Sequence, residues 1–265
     1  MGMPRRRESI SANALQQKLD SGVGIGGGPK YEAWKTSENT TTVSHSGKFF
    51  SELTERYMHF LGETEEGVLL SVLRMNDVEE VLENYRLSIP LTERICLASG
   101  RKHPRSEGPG KPLVPFTTDT LFKRRAPPQF VAVSASDRGE LRNPRDAYKS
   151  LFVQHVYWQL HSVPLFFVTN FDLPRETIRS LSFINPSEEG GTRPPAPQLE
   201  IFLQLALRAD WSRDLLLVVR DISSEMRIDS TLGMKLFKVL AWENALECDL
   251  SRELSASTRN AVRPR

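Results

Sequence analysis

Between residues 49 and 74, apolar side chains recur every three or four positions, the spacing of an amphipathic helix. This pattern predicts helical structure across the segment, and Gly62 or Gly67 is expected to divide it into two helices. The apolar positions that carry the periodicity are Phe49, Leu53, Tyr57, Phe60, Leu61, Val68, Leu69, Val72 and Leu73.

The next part of the chain is predicted to contain a strand, a short helix and a loop. The strand is expected at 78–87 and the helix at 92–99. Gly100 follows directly, at the position where a glycine commonly ends a helix. Residues 101–115 are rich in proline, glycine and charge, which indicates a loop.

A β-hairpin and a β-α-β unit are predicted further along. Two strands are expected at 116–123 and 130–134, joined by an Ala-Pro-Pro turn. Pro144 occupies the favoured first position of a helix that is expected to end near His161. The apolar run 163–169 then predicts a buried strand. A strand, a helix and a strand in this order normally form a parallel pair.

The C-terminal part is predicted to be mostly helical. The proline- and glycine-rich segment 185–198 is the best internal boundary. Helices are expected at 198–209, 212–226 and 230–243, followed by a short strand-like segment at 245–250. Three helices and a hairpin-like end are typical of a winged-helix module.

These elements predict an α/β protein of two domains with flexible ends. Residues 1–30 combine an arginine triplet with many glycines, so we expect a disordered basic N-terminus. No Gly-Lys-Ser/Thr follows these glycines, which argues against a phosphate-binding loop. The α/β domain is assigned to 31–184, the winged-helix-like domain to 198–254 and a tail to 255–265.

Composition narrows the class of protein. The chain has 265 residues, of which 39% are hydrophobic and 26% charged, as in globular proteins with a substantial core. Its net charge is +2, so nucleic-acid binding depends on local basic patches. Cys96 and Cys248 are too far apart to suggest a disulfide framework or zinc site. No apolar run would span a bilayer, and no secretory signal is evident, so we expect a cytoplasmic protein without a membrane partner.

Four segments, taken in order, resemble TnsA-type transposase endonucleases. They are "SGRKHP" at 99–104, "TTD" at 117–119, "VYWQLHSVPLFFVTN" at 156–170 and "TLGMKLFKVLAWENALECDL" at 231–250. The resemblance covers about 40–252. It implies a restriction-endonuclease-like fold in the N-terminal domain and Mg²⁺-dependent cleavage of one strand at the 5′ ends of transposon DNA.

The resemblance also implies two metal-binding carboxylates. The segment "LGETE" at 61–65 matches the helix that carries the first of them, which makes Glu65 the catalytic and metal-binding candidate. Glu52 and Glu55 are second choices, because matching them requires an insertion. Asp119 matches the second carboxylate, and an aspartate is disfavoured inside a strand unless it has a function.

Three other positions of the family's site are changed in this chain. Ser134 and Ser136 occupy the places of a glutamine and a catalytic lysine on the strand 130–136, and Gln154 occupies that of a helix glutamate. Serine is neutral and too short to replace an ammonium group. The sequence therefore leaves open whether the subunit is catalytically impaired or whether another cation replaces the lysine. Sequence proximity suggests Lys123, Lys149 and Arg138 as replacements.

The resemblance further implies several partners. These are the transposon ends, a transposase of TnsB type that cuts the other strand, and an AAA+ regulator of TnsC type that contacts the C-terminal domain. Alternatives are a non-catalytic scaffold joining those partners, or a DNA-binding or defence protein with a nuclease-derived fold. A basic loop suits phosphate contact, although a solvated loop explains it equally well. Its residues are Arg101, Lys102, His103, Arg105 and Lys111.

Overall fold

The computed structural model divides the chain into two compact units, one ending at Asp172 and the other beginning at Leu173. Arg138 and the arginine triplet, Arg5, Arg6 and Arg7, lie outside the described part. The structure describes residues 9–39, 45–136, 144–189, 193–260 and 262–263.

Both units contain helices and strands, so the mixed α/β class is confirmed. The helices are α1 (Ala12–Asp20), α2 (Glu63–Leu73), α3 (Ile89–Ala98), α4 (Pro144–Leu160), α5 (Arg175–Ile184), α6 (Ala196–Ala206), α7 (Leu215–Met226) and α8 (Ser230–Trp242). The strands are β1 (Gly47–Ser51), β2 (Arg56–Phe60), β3 (Val78–Arg86), β4 (Thr117–Arg125), β5 (Pro128–Ser136), β6 (Leu165–Thr169), β7 (Glu247–Cys248) and β8 (Val262–Arg263).

A four-stranded sheet forms the centre of the first unit, in the order β3-β4-β5-β6. The pairs β3–β4 and β4–β5 are antiparallel. The pair β5–β6 is parallel, and α4 connects its two strands. The predicted hairpin and β-α-β unit are therefore confirmed.

Helix α4 covers one face of this sheet. Its Val153 and Trp158 pack with Leu82, Leu121 and Ala132 in one buried cluster. The three sheet residues lie opposite one another on β3, β4 and β5, so their side chains point to the same face. Helix α3 packs against α4, and its Ile95 and Cys96 belong to the same buried cluster.

Helix α2 covers the other face. It contacts all four strands of the sheet, and its residues Val68 and Leu69 are buried. The register partners Val81, Phe122 and Val131 are one position away from the cluster under α4, and they are buried as well. Because side chains alternate along a strand, they point to the opposite face, where α2 lies.

The segment 49–61 forms the β1–β2 hairpin, so the prediction of a helix there was wrong. Its buried residues follow a period of two, with Met58 and Phe60 inside the fold. Leu53 and Tyr57 were assigned to the apolar face of a helix, yet their exposed fractions are 37% and 58%.

Strand β6 lies at the edge of the sheet, next to β5 alone among the described strands. The run 163–169 was predicted to be buried, and that part of the prediction was wrong. Phe166 and Phe167 are 57% and 38% exposed. An apolar run indicates a strand, but it does not distinguish a central strand from an edge strand.

The described residues of the segment 1–30 are folded, which corrects the prediction of a disordered linker. Leu15 of α1 is buried, and the Ile10 N–H donates to Ser106 Oγ at 2.8 Å. Gly24 has a φ of +80°, and a Cβ built there would lie 2.9 Å from the Trp34 Cβ. Glycine is therefore needed at this close approach.

The second unit contains helices α5–α8 around its own apolar core, which includes Phe202, Trp211 and Phe237. The segment 255–265 was predicted to be a tail, but Val262 is buried and β8 pairs with β7. Among the described residues of this unit, strand pairing is limited to this two-residue ladder. No helix in the described parts of the chain is long and apolar enough to cross a membrane.

Candidate functional site

Asp119 lies where the pairing of the central sheet is interrupted. In the β3–β4 ladder, Glu83 pairs with Thr120 and Tyr85 pairs with Thr118. The register skips the position between these pairs, where Asn84 lies opposite Asp119. At this level Asn84 adopts a left-handed φ of 48°, a conformation that is uncommon outside glycine. The β4–β5 ladder also stops beside Asp119, and its last pair contains Thr120.

The Asp119 carboxylate bridges this interruption. Its Oδ2 accepts the Ala135 backbone N–H at 2.7 Å and the Ser134 hydroxyl at 3.1 Å. The carboxylate thus replaces a backbone acceptor at the point where β4 and β5 separate, and it is held in one orientation. Ser134, in the predicted glutamine position, is brought into direct contact with Asp119.

Glu65 lies in the first turn of α2 and is half-buried. Its Oε2 accepts the Leu61 N–H at 2.9 Å. Gly62, the N-cap of this helix, has no side chain that could cap it. The Glu65 carboxylate instead accepts a backbone N–H just before the helix, and its negative charge is favourable at a helix N-terminus. Helix α2 packs against β4 and β5, the strands that carry Asp119 and Ser134.

The second-choice carboxylates have a different location. Glu52 and Glu55 are exposed in the turn between β1 and β2, and Glu55 has a φ of 54°. Neither lies on a helix, whereas the matched carboxylate was expected on one. Glu65, on α2, therefore meets the expectation of a helical carboxylate, and Glu52 and Glu55 do not.

Gln154 has a structural role in the core. Only 3% of its surface is exposed, and its Oε1 accepts the Thr118 hydroxyl at 3.1 Å. The same Thr118 oxygen accepts the Trp158 indole N–H at 2.8 Å. The buried amide therefore links α4 to β4 one residue before Asp119, and these bonds need no charged side chain.

Lys123, the suggested cation on β4, is not placed to replace the lysine that the family has at the position of Ser136. Ser136 ends β5, opposite Thr169 of β6. Lys123 is ion-paired with Glu79, which raises the pKa of the Lys123 ammonium. It lies four residues from Asp119, which is about 13 Å along a strand. Lys149 is exposed on α4, and Arg138 is outside the described residues.

The predicted basic loop is partly engaged with the protein itself. The Arg101 guanidinium lies 3.8 Å from the centre of the Phe152 ring. Arg105 Nη1 donates to the Lys111 carbonyl at 3.1 Å. Lys102 and Lys111 are exposed. Contact of this loop with phosphate remains a prediction.

His103 is held inside this loop. Its Nε2 lies 2.9 Å from the Thr92 hydroxyl, and its ring contacts Phe116 edge to face. Burial lowers the pKa of His103, which favours the neutral imidazole.

Protonation of His103 is expected to destabilise the fold. Because its pKa is lower in the folded state, its contribution to stability is present above the unfolded pKa of about 6.5 and is lost as the pH falls. Urea unfolding should show a smaller loss of stability between neutral and mildly acidic pH in His103→Gln than in the wild type. Identical pH dependence in the two proteins would contradict this assignment.

The two carboxylates suit Mg²⁺ by donor type. This ion often takes one or two protein carboxylates and completes its coordination with water and substrate phosphate. Among the described residues, no group of three or more His, Cys, Asp and Glu side chains could hold a metal ion. A shared metal site at Glu65 and Asp119 therefore remains a prediction.

Two charged groups near the interruption, Lys35 and Glu83, are not indicated by any pattern in the sequence. Lys35 Nζ donates to Thr117 Oγ1 at 3.1 Å, at the start of β4. Glu83, which is fully buried, pairs with Arg56 of the β1–β2 hairpin. Both contacts join residues far apart in the chain, so no local motif could have identified them.

Comparison with known proteins shows a distant similarity to a transposition protein. No family model matches the chain. Over 172 residues the chain is 27% identical to the transposon Tn7 transposition protein TnsA of Escherichia coli, and the alignment covers 64% of this chain. It covers 62% of the relative, so the chain spans less than two thirds of that protein's length. The chain is thus distantly similar to a TnsA transposition protein.

Proposed function

We propose that this chain is a DNA strand-cleaving subunit of a heteromeric transposase, acting at the 5′ ends of transposon DNA. The observation that carries the proposal is the Asp119 carboxylate, held by Ala135 N–H where the β-sheet pairing is interrupted. The distant similarity to a transposition protein supports the choice of substrate.

Glu65 and Asp119 would hold Mg²⁺ in this site. When bound, the ion activates water and neutralises charge on the scissile phosphate. The protein's own contribution is orientation, because Ala135 and Ser134 fix the Asp119 carboxylate before substrate arrives. The N-terminus of α2 provides further positive potential beside Glu65.

The proposed partners follow the same assignment. They are transposon-end DNA, a TnsB-type transposase that cuts the other strand and a TnsC-type AAA+ regulator. The second unit is proposed to contact the regulator through a winged-helix-like domain. A catalytically impaired scaffold is the second candidate, since loss of a preorganised charge at Ser136 would typically cost about 10²–10³ in rate.

A strand-specific nicking assay tests the proposal. The purified chain, with and without a candidate TnsB-type transposase, is incubated with Mg²⁺ or Mn²⁺ and a duplex labelled separately on each strand. We expect one strand to be cut at the 5′ end of the element, and no cutting with a chelator, because hydrolysis requires the metal.

Two results would contradict strand cleavage. One is the absence of cutting in every mixture although the chain co-purifies with the transposase, which favours the scaffold. The other is DNA binding without cutting and without association with a transposase, which favours a DNA-binding or defence protein.

A further inference from the structure

The segment that carries Lys35 is fixed against the outer edge of the central sheet. Trp34 has no exposed surface, and its backbone N–H donates to the Asn84 carbonyl at 3.3 Å. The Trp34 carbonyl accepts from Lys18 Nζ at 2.6 Å. The Tyr31 hydroxyl donates to the Glu83 carbonyl at 2.8 Å. Lys35 therefore follows a buried anchor that is bonded at the level of the interrupted pairing.

The Lys35 side chain extends from this anchor to the strand that carries Asp119. Its ammonium donates to Thr117 Oγ1 at 3.1 Å. Thr117 precedes Asp119 by two residues, about 7 Å along a strand, and as the neighbour of Thr118 it lies on the opposite face of β4 from Thr118. Thr118 points the other way, toward α4, because its hydroxyl contacts Gln154 and Trp158.

The charge of Lys35 is not neutralised within the described part of the protein. The hydroxyl of Thr117 is the partner that the structure records for it, and Lys35 forms no ion pair with a described residue. Other lysines differ: Lys48 pairs with Glu38, and Lys123 with Glu79. A half-buried ammonium beside a neutral hydroxyl has a strong remaining preference for an anion.

We propose that Lys35 is the phosphate-binding cation of this site and takes over the role that Ser136 cannot perform. Its ammonium would contact the scissile phosphate beside the proposed metal site and stabilise the charge that develops there during cleavage. This inference rests on the proposed function, since it assigns a residue of the same site. It also explains how a chain with serine at position 136 can cleave DNA.

Binding of a short labelled DNA duplex without divalent metal is the first test. Lys35→Gln removes the charge and keeps a group that can bond Thr117. We expect weaker binding and a salt-dependence slope reduced by about one, as for loss of one phosphate contact. Lys35→Arg should keep the slope. Lys123→Gln is the matched control and should leave it unchanged. Equal slopes for Lys35→Gln and the wild type would overturn the proposal.

Nicking of the labelled duplex is the second test, and rescue is its readout. Lys35→Gln should lower the rate by about 10²–10³. Adding Ser136→Lys to Lys35→Gln should restore most of it, because a second route then supplies the charge. Failure of this rescue, with both variants folded, would contradict a shared role.

The outcomes separate this inference from the proposed function. If Ser136→Lys alone raises nicking strongly and Lys35→Gln has no effect, Lys35 is not the phosphate-binding cation, although the nuclease assignment stands. If neither the wild type nor any variant nicks DNA, the proposed function fails. The salt dependence of DNA binding still decides whether Lys35 contacts phosphate.

Discussion

Asp119→Asn is expected to lower metal-dependent nicking by about 10²-fold or more while leaving the fold intact. The reason is that an amide is a much weaker ligand for Mg²⁺ than a carboxylate. The asparagine oxygen can still accept the Ala135 N–H that Asp119 accepts at 2.7 Å. The loss would therefore report on chemistry, and the thermal midpoint of unfolding should change little.

Asp229→Asn is the matched control for this experiment. Asp229 accepts the Thr231 N–H at 2.7 Å at the start of α8, so the chemical change is the same but the position is in the other unit. We expect nicking at the wild-type rate. Equal rates for the wild type and Asp119→Asn would show that Asp119 is not a ligand of the reacting metal.

Glu83→Ala is expected to destabilise the first unit by about 3–5 kcal/mol, because it leaves a buried guanidinium without its counter-ion. Glu83 has no exposed surface and accepts from both terminal nitrogens of Arg56 at 2.7 Å. It also accepts the His59 N–H at 3.2 Å, which ties the β1–β2 hairpin to β3. Urea unfolding of both proteins measures the difference.

Two variants make this second prediction specific. Replacing both Glu83 and Arg56 with methionine should cost less than Glu83→Ala, since no uncompensated charge is left. Arg213→Ala breaks an exposed pair with Asp221 and should have a much smaller effect than Glu83→Ala. A loss from Glu83→Ala as small as that from Arg213→Ala would contradict a structural role for the buried pair.

The same ion pair explains why the β1–β2 hairpin was predicted as a helix. Its buried positions include Ser51 and Arg56 as well as Met58 and Phe60, so the period of two includes polar residues. Arg56 can be buried only because Glu83, 27 residues away, neutralises it. A pattern based on hydrophobicity does not count Arg56 or Glu83 as internal.

The central hairpin and the β-α-β unit were predictable because their signals are local. The Ala-Pro-Pro turn, Pro144 at the start of α4 and the apolar run of β6 each specify an element. The position of β6 at the sheet edge depends on strand order. Strand order is set by tertiary packing and not by local sequence. The folded glycine-rich segment around Gly24 was missed for the same reason, because its structure depends on packing against distant residues.

The candidate site was predictable to the same limited extent. Asp119 was proposed from the resemblance at 117–119, with support from the rarity of aspartate inside strands, and the structure places it with Ser134. The interruption beside it depends on Asn84, whose φ of 48° no sequence motif indicates. The contact between Lys35 and Thr117 joins residues 82 positions apart, so it could appear only in the folded chain.

The most direct test of the account is where a metal binds. Crystals of the protein with a DNA duplex and Mn²⁺ would locate the ion by its anomalous scattering. We predict an ion with Asp119 and Glu65 oxygens at about 2.1 Å, next to a phosphate. An ion bound elsewhere, or bound at Asp119 without Glu65, would contradict the proposed pair of carboxylates.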